Sequence, residues 1–171
     1  EETVPARAGA RVDARDRHGS PAFEYRDLRT EGNPAEVDDG RFAARNRLNR
    51  RGVPLPLKYG GGPDFGPPHL VHTAYRLAPP ALFPSHPEWF ALVGGHRTAE
   101  KAQLCFTSPQ LRQHVASALE ALIIDAEAKA HDAGLPPPRY YAVDHNDNDA
   151  HCECGACRAL AEREGSEAGP L

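Results

Sequence analysis

The residues best suited to chemistry lie in one stretch, YYAVDHNDNDAHCECGACRAL, at positions 140–160. An apolar run ends there in alternating asparagine and aspartate, and Cys152, Cys154 and Cys157 follow within six residues. Zinc takes four thiolate or imidazole ligands in a tetrahedron. The Cys-x-Cys-x-x-Cys spacing offers three of them, and Cys105 or His151 is the expected fourth. The stretch therefore indicates a structural zinc site.

Two other states of the cysteines are open on the sequence alone. Cys105 could form a disulfide with one clustered cysteine, beside a strained pair within the cluster. All four could instead be free buried thiols. Catalytic redox chemistry is disfavoured, because no thioredoxin-like context surrounds Cys154 and Cys157. We expect the cysteines to serve the shape of the loop rather than a reaction.

The segment HNDND, residues 145–149, allows a structural and a functional interpretation. Clustered Asn and Asp after a strand are common turn formers. In the functional interpretation, a carboxylate and an amide at the carboxyl end of a strand face a polar substrate. A calcium loop of the EF-hand type is disfavoured, because no glutamate follows at the required offset.

Other candidates are scattered along the chain. His69 and His72 lie in a loop rich in proline and glycine, where they are either solvated or in contact with a substrate. Trp89 and Phe90 have the character of core residues, although an aromatic ring beside a polar loop can also stack on a sugar. Arg26 is either a surface charge or a clamp for hydroxyl groups.

The hydrophobic pattern predicts the elements that position these residues. Gly94-Gly95 supplies a turn between two strands, and Ser108 caps a long helix that begins with Pro109. We predict strands at 21–28, 53–62, 88–97, 102–107 and 139–145, and helices ending near Arg51, starting after Ser108 and stopping at Gly165. This order is typical of an α/β protein with a parallel sheet, whose functional residues collect where strands end.

Composition limits the function classes. The chain has 171 residues, about one domain, with a net charge of −4 and a pI near 6.1. This charge does not indicate a basic surface for binding nucleic acid or an anionic membrane. No apolar run approaches the ~20 residues of a membrane span. The first residues lack the basic segment followed by an apolar segment that is typical of a signal peptide. The absence of methionine makes us expect a fragment of a longer parent chain.

Several segments resemble one protein family. FEYRD, RNRLN, HTAYRLAPPALFPSHPEWFAL, QLCFTSPQL and NDNDAHCECGACRALAEREGS occur in the order seen in domain of unknown function 4838. Part of that family is classed as glycoside hydrolase family 163, with endo-β-N-acetylglucosaminidase activity on N-glycans. The resemblance covers about residues 20–171. It implies a (β/α)₈ TIM barrel of which residues 21–171 form the truncated N-terminal part, after a linker or the tail of a small α/β domain at 1–20.

The resemblance also implies site residues. Asp147 would be catalytic, and Arg26, His72 and Asn146 would bind substrate. The family's Gln-Asn-Asp core appears here with His145 in place of Gln. The implied partners are a glycan and the missing remainder of the parent, with no cofactor for catalysis and an isolated piece that is inactive. The alternative is a non-catalytic carbohydrate-binding or zinc-stabilised interaction module.

Overall fold

The regular elements are short except for one helix. The computed structural model describes residue 9 and residues 19–28, 40–51, 53–62 and 64–167. Its helices are α1 (Arg41–Arg45), α2 (Ala74–Leu77), α3 (Pro109–Asp132) and α4 (Gly155–Glu164). Its strands are β1 (Arg50–Arg51), β2 (Val53–Pro54), β3 (Leu92–Val93) and β4 (His96–Arg97). Single 3₁₀ turns lie at Leu57–Tyr59, Pro80–Leu82 and Pro87–Trp89.

The strands form two antiparallel pairs, β1 with β2 and β3 with β4. Leu92 pairs with Arg97 in the second hairpin, and Gly94 and Gly95 make its turn with φ values of 56° and 82°. Two positive φ values in succession are easiest for glycine, which favours a turn matched to the twist of the strands. The predicted turn at Gly94-Gly95 is confirmed, but it joins two strands within 88–97, and 102–107 contributes only the bridge of Leu104 to Phe90.

Helix α3 begins and ends as its sequence predicts. The Ser108 side chain accepts a hydrogen bond from the Leu111 N–H at 3.3 Å, and Pro109 is the first helical residue. The backbone turns away at Gly134, which has a φ of 64°. Helix α4 ends at Gly165, again with a left-handed φ of 66°. Local capping signals therefore define both helices.

Replacement of Ser108 by alanine should destabilise the protein by about 1 kcal/mol, because the first turn of α3 loses its side-chain acceptor. Ser117→Ala is the matched control, since Ser117 lies exposed in the middle of the same helix. We expect that control to change the free energy of unfolding by less than about 0.5 kcal/mol. Urea unfolding of both variants checks the difference, and equal stability of the two would contradict the capping assignment.

The hydrophobic core lies between α2, the segment before β3, and the first half of α3. Its buried members are Ala74, Leu77, Ala78, Trp89, Phe90, Leu104, Leu111 and Val115. Trp89 stacks on His86 with ring centres 4.0 Å apart and also contacts His114. Because Leu104 is anchored in this core, the next residue, Cys105, has a fixed position.

Two element predictions near the N-terminus are wrong. Residues 21–28 contain no strand, because the backbone of Arg26 pairs with the single residue Asn49: its N–H donates to the Asn49 Oδ1 at 2.9 Å and its carbonyl accepts from the Asn49 N–H at 3.1 Å. The helix predicted to end near Arg51 ends at Arg45, and Asn46 closes it. Residues 33–39, which precede this helix, lie outside the described residues, as does most of the expected linker at 1–20.

The predicted strand at 53–62 is reduced to β2 and is followed by the 3₁₀ turn at Leu57–Tyr59, whereas 102–107 and 139–145 are chain with isolated bridges. Pro54 and Pro56 lack the N–H that a ladder needs, so β2 ends after two residues. Phe90 bridges Leu104 in the antiparallel sense, and Phe65 bridges Tyr140 in the parallel sense. A parallel neighbour is what a barrel requires, and the partial (β/α)₈ barrel itself stays a prediction. No helix among the described residues has the length and apolarity to cross a membrane.

Candidate functional site

Four cysteines converge on one point, and we call Cys105, Cys152, Cys154 and Cys157 the thiol cluster. All four sulfur atoms lie within 4.8 Å of one another. The Cys105 Sγ is 3.7 Å from the Cys154 Sγ and 3.8 Å from the Cys157 Sγ. No disulfide joins any of them. The thiol cluster can hold a metal ion, and its fourth member is Cys105 rather than His151.

Three separate parts of the chain deliver these sulfurs. Cys105 follows the core, and its N–H donates to the Trp89 carbonyl at 2.8 Å. Cys152 lies against the hairpin, where its sulfur accepts from the Leu92 N–H at 3.3 Å. Cys154 is the N-cap of α4, and Cys157 is buried in its first turn. The thiol cluster therefore joins the core, the β3–β4 hairpin and α4.

The thiols differ in how readily they lose a proton. Hydrogen bonding from the Cys152 thiol, assisted by Thr107 and Arg97, lowers the pKa of Cys105 to about 4. The same contact raises the pKa of Cys152, the donor. Burial raises the pKa of Cys157 to about 11. Cys105 is thus the thiol of the cluster that loses its proton most readily, and a divalent cation would favour the thiolate form at all four.

Two polar side chains support the sulfurs from outside. The Thr107 hydroxyl lies 3.1 Å from the Cys157 Sγ and 3.4 Å from the Cys105 Sγ. The Arg97 guanidinium donates to the Phe90 carbonyl at 2.7 Å and lies 3.7 Å from the Cys152 Sγ. A cation at this place offsets the negative charge of gathered thiolates. Burial by itself lowers the pKa of the Arg97 guanidinium. Hydrogen bonding to Cys105 and the charges of the neighbouring cysteines outweigh burial, so that the pKa is raised.

A second polar group lies a few residues away, in the rim loop, which we define as residues 144–149. The buried Gln103 holds this loop from inside. Its Oε1 accepts from the Asn146 N–H at 2.8 Å, and its Nε2 donates to the carbonyls of Asn146 and Asn148 at 2.8 and 2.7 Å. Because Gln103 is two residues before Cys105, the same strand-like segment holds both groups in place.

A comparison with known protein families decides the relationship of this chain. The model of the family described as domain of unknown function 4838 matches residues 1–171. The chain belongs to this family. No curated protein and no solved structure matches the chain. Membership of the domain of unknown function 4838 family confirms the resemblance carried by the quoted segments, at the level of the family.

The structure puts the two central candidate residues of this family member on opposite sides of the rim loop. Asp147 is exposed, and within the part of the chain that the structure describes its carboxylate has no hydrogen-bond partner. Asn146 is buried, with its Nδ2 donating to the Ala102 carbonyl at 2.9 Å and its Oδ1 accepting from the Tyr75 N–H at 3.2 Å. Asp147 therefore faces outward, and Asn146 holds the loop.

The other two candidates lie on different surfaces. His72 is exposed next to the rim loop, with its N–H on Asp144 Oδ2 at 3.2 Å. Arg26 lines a separate cleft of ≈ 440 Å³ with Tyr59 and Arg139. Its Nε donates to the Arg47 carbonyl at 2.7 Å, so part of the guanidinium is already engaged. The structure thus joins His72 to the rim loop, and sugar binding by Arg26 stays a prediction.

Sequence reasoning missed two residues that shape the site. Gln103 is one polar residue inside the apolar segment AQLCF, and a lone buried amide in such a segment is a signal of a polar network. Asp144 follows the apolar run one position before the quoted HNDND segment. Its Oδ1 lies 3.2 Å from the His145 Nδ1 and its N–H donates to the Thr73 hydroxyl at 2.8 Å.

Proposed function

We propose that this chain is part of the catalytic domain of a glycoside hydrolase that acts on glycans containing N-acetylglucosamine. The observation that carries the proposal is the rim loop, where the exposed Asp147 carboxylate extends from a backbone fixed on both sides by Gln103. A charged group on a backbone that is fixed before substrate arrives needs less reorganisation to stabilise developing charge than one on a free loop. The chain forms the first part of a (β/α)₈ barrel, whose catalytic groups lie at the carboxyl ends of strands.

Asp147 has the chemistry that this reaction needs. Enzymes that cleave beside N-acetylglucosamine can use the acetamide of the substrate as the nucleophile, with a carboxylate that orients it. In this proposal Asp147 orients the acetamide and stabilises the positive charge that develops on it. Asn146 keeps the loop in place, and His72 contacts hydroxyl groups beside it.

The thiol cluster binds one structural Zn²⁺ ion in this proposal. Four sulfurs at about 2.3 Å from zinc in a tetrahedron lie about 3.8 Å from one another. The observed separations of 3.7 and 3.8 Å from the Cys105 sulfur match that geometry. A disulfide bond is only about 2.05 Å long. With four cysteine ligands such an ion would have no open position for a substrate, and these residues would use it to hold the hairpin, the core and α4 together.

The thiol cluster also favours a second candidate function. A closed four-cysteine zinc site is typical of small interaction modules, whose stability depends on the metal. A non-catalytic carbohydrate-binding or zinc-stabilised interaction module would keep the zinc and need no carboxylate on the rim loop. The two candidates therefore differ in the effect of removing the Asp147 charge.

In the full-length parent, Asp147→Asn should lower turnover of an N-acetylglucosaminide by at least about 10²-fold, the range for removing one electrostatic group from a site. The melting temperature should stay unchanged, because Asn and Asp both suit turns. Asp149→Asn is the matched control, since Asp149 is exposed in the same loop. We expect near-normal turnover from the control. Equal turnover by the two variants would contradict a catalytic role, and would show that Asp147 only forms a turn.

A further inference from the structure

The Thr107 hydroxyl group lies against three of the four sulfurs of the thiol cluster. Its Oγ1 is 3.1 Å from the Cys157 Sγ, 3.4 Å from the Cys105 Sγ and 3.7 Å from the Cys154 Sγ. Cysteines that bind a metal ion do so as thiolates, which carry no proton. When a metal is bound, the only proton available for these contacts is that of the hydroxyl group, so Thr107 must be the donor.

The fourth sulfur has donors of its own. The Cys152 Sγ accepts from the Leu92 N–H at 3.3 Å, and the Arg97 guanidinium donates to it at 3.7 Å. The same guanidinium donates to the Phe90 carbonyl at 2.7 Å, which holds Arg97 in this position. Each sulfur of the thiol cluster therefore has at least one donor within reach. These donors come from the β3–β4 hairpin on one side and from Thr107, the residue before the cap of α3, on the other.

The charge of an occupied site is the reason why such donors matter. Four thiolates around one Zn²⁺ ion leave an excess of negative charge. Cys105 and Cys157 are buried, so part of this charge is held away from water. A buried charge costs free energy unless hydrogen bonds or an opposite charge compensate it. Thr107 supplies a hydrogen bond and Arg97 a positive charge, and both are placed to offset this cost.

We propose that Thr107 and Arg97 are positioning residues of the metal site, which set the affinity of the thiol cluster for zinc without binding the ion themselves. This inference rests on the zinc ion of the proposed function, and it assigns part of the affinity to side chains outside the four ligands. Thr107 orients and stabilises the thiolates of Cys105 and Cys157 through its hydroxyl proton. Arg97 offsets the negative charge at Cys152. The loss of partners of this kind typically weakens metal binding by about 10- to 100-fold.

The role of Thr107 is tested by measuring the zinc affinity in competition with a chelator of known affinity. Thr107→Val removes the hydroxyl group but keeps the shape, and should lower the affinity by about 10- to 100-fold. Thr107→Ser keeps the hydroxyl group and should bind zinc almost as tightly as the wild type. A role in packing alone would give the opposite order, because serine lacks the methyl group that valine retains. Thr98→Val is the control and should leave the affinity unchanged, since Thr98 is also half-buried but its hydroxyl accepts from the Glu100 N–H at 3.0 Å, outside the thiol cluster.

The role of Arg97 is tested by the same measurement. Arg97→Gln removes the positive charge and should also lower the zinc affinity by about 10- to 100-fold, whereas Arg97→Lys keeps the charge and should lose less. Equal losses in these two variants would contradict a role of the charge. A wild-type affinity in Thr107→Val or in Arg97→Gln would overturn the role of that residue and leave the zinc site intact. Wild-type protein that binds no zinc would overturn this inference together with the zinc ion of the proposed function.

Discussion

Protein purified without a chelator should contain about one equivalent of zinc, and Cys105→Ser should lose most of it. The four sulfurs lie within 4.8 Å of one another, two of their separations are 3.7 and 3.8 Å, and serine cannot replace a thiolate ligand at this centre. Structural zinc in small domains contributes about 10–16 kcal/mol of apparent binding free energy at pH 7. We therefore expect this substitution to have the largest effect of any on the melting temperature. Elemental analysis and thermal unfolding measure both results.

Thr73→Ser is the control for this experiment, because it also introduces serine at a fully buried position but outside the thiol cluster. Its zinc content should equal that of the wild type. The competing states of the cysteines give different results. A disulfide would remove two hydrogen atoms from the intact mass for each bridge. A metal-free native protein with four titratable thiols would contradict both the zinc site and the disulfide.

Gln103→Leu should destabilise the protein by at least about 3 kcal/mol. It leaves the Asn146 N–H and the Asn146 and Asn148 carbonyls without the partners that the Gln103 amide provides. Each such group costs about 1–3 kcal/mol when it loses its hydrogen bond away from water. Leucine has a similar volume, so the effect reports the lost hydrogen bonds rather than a cavity.

Gln113→Leu is the matched control, because Gln113 lies exposed on α3 and bonds weakly to Ser117 at 3.4 Å. We expect it to change the free energy of unfolding by less than about 0.5 kcal/mol. Urea unfolding of both variants is measured in the presence of zinc, so that loss of the metal does not contribute to the difference in their free energies of unfolding. A cost below about 1 kcal/mol for Gln103→Leu would show that water replaces the amide, and that the rim loop is not fixed from inside.

The sequence was sufficient for elements that local signals define. Ser108 with Pro109, Gly94 with Gly95, and Gly165 each specify a backbone conformation within a few residues, and all three are confirmed. The pattern at 21–28 is alternating as well, but a strand needs a partner from elsewhere in the chain. The partner of Arg26 is the single residue Asn49, through its backbone N–H and its side-chain oxygen, and no local pattern reveals it.

The candidate site was also predictable from the sequence only in part. The spacing of Cys152, Cys154 and Cys157 predicted a cluster, but the choice of Cys105 over His151 depends on packing across about fifty residues. Gln103 and Asp144 act on partners that are distant in sequence, so their roles became visible only in the fold. Polar networks between separate segments are the part that periodicity does not encode.

The glycoside hydrolase function is tested most directly by incubating the zinc-loaded full-length parent with a complex N-glycan and following the products by mass spectrometry. Our proposal predicts cleavage beside an N-acetylglucosamine residue, at a rate that falls at least about 10²-fold in the Asp147→Asn variant. A folded, zinc-loaded parent that binds the glycan but releases no fragment would contradict the hydrolase. That result would leave the zinc-stabilised binding module as the function of this chain.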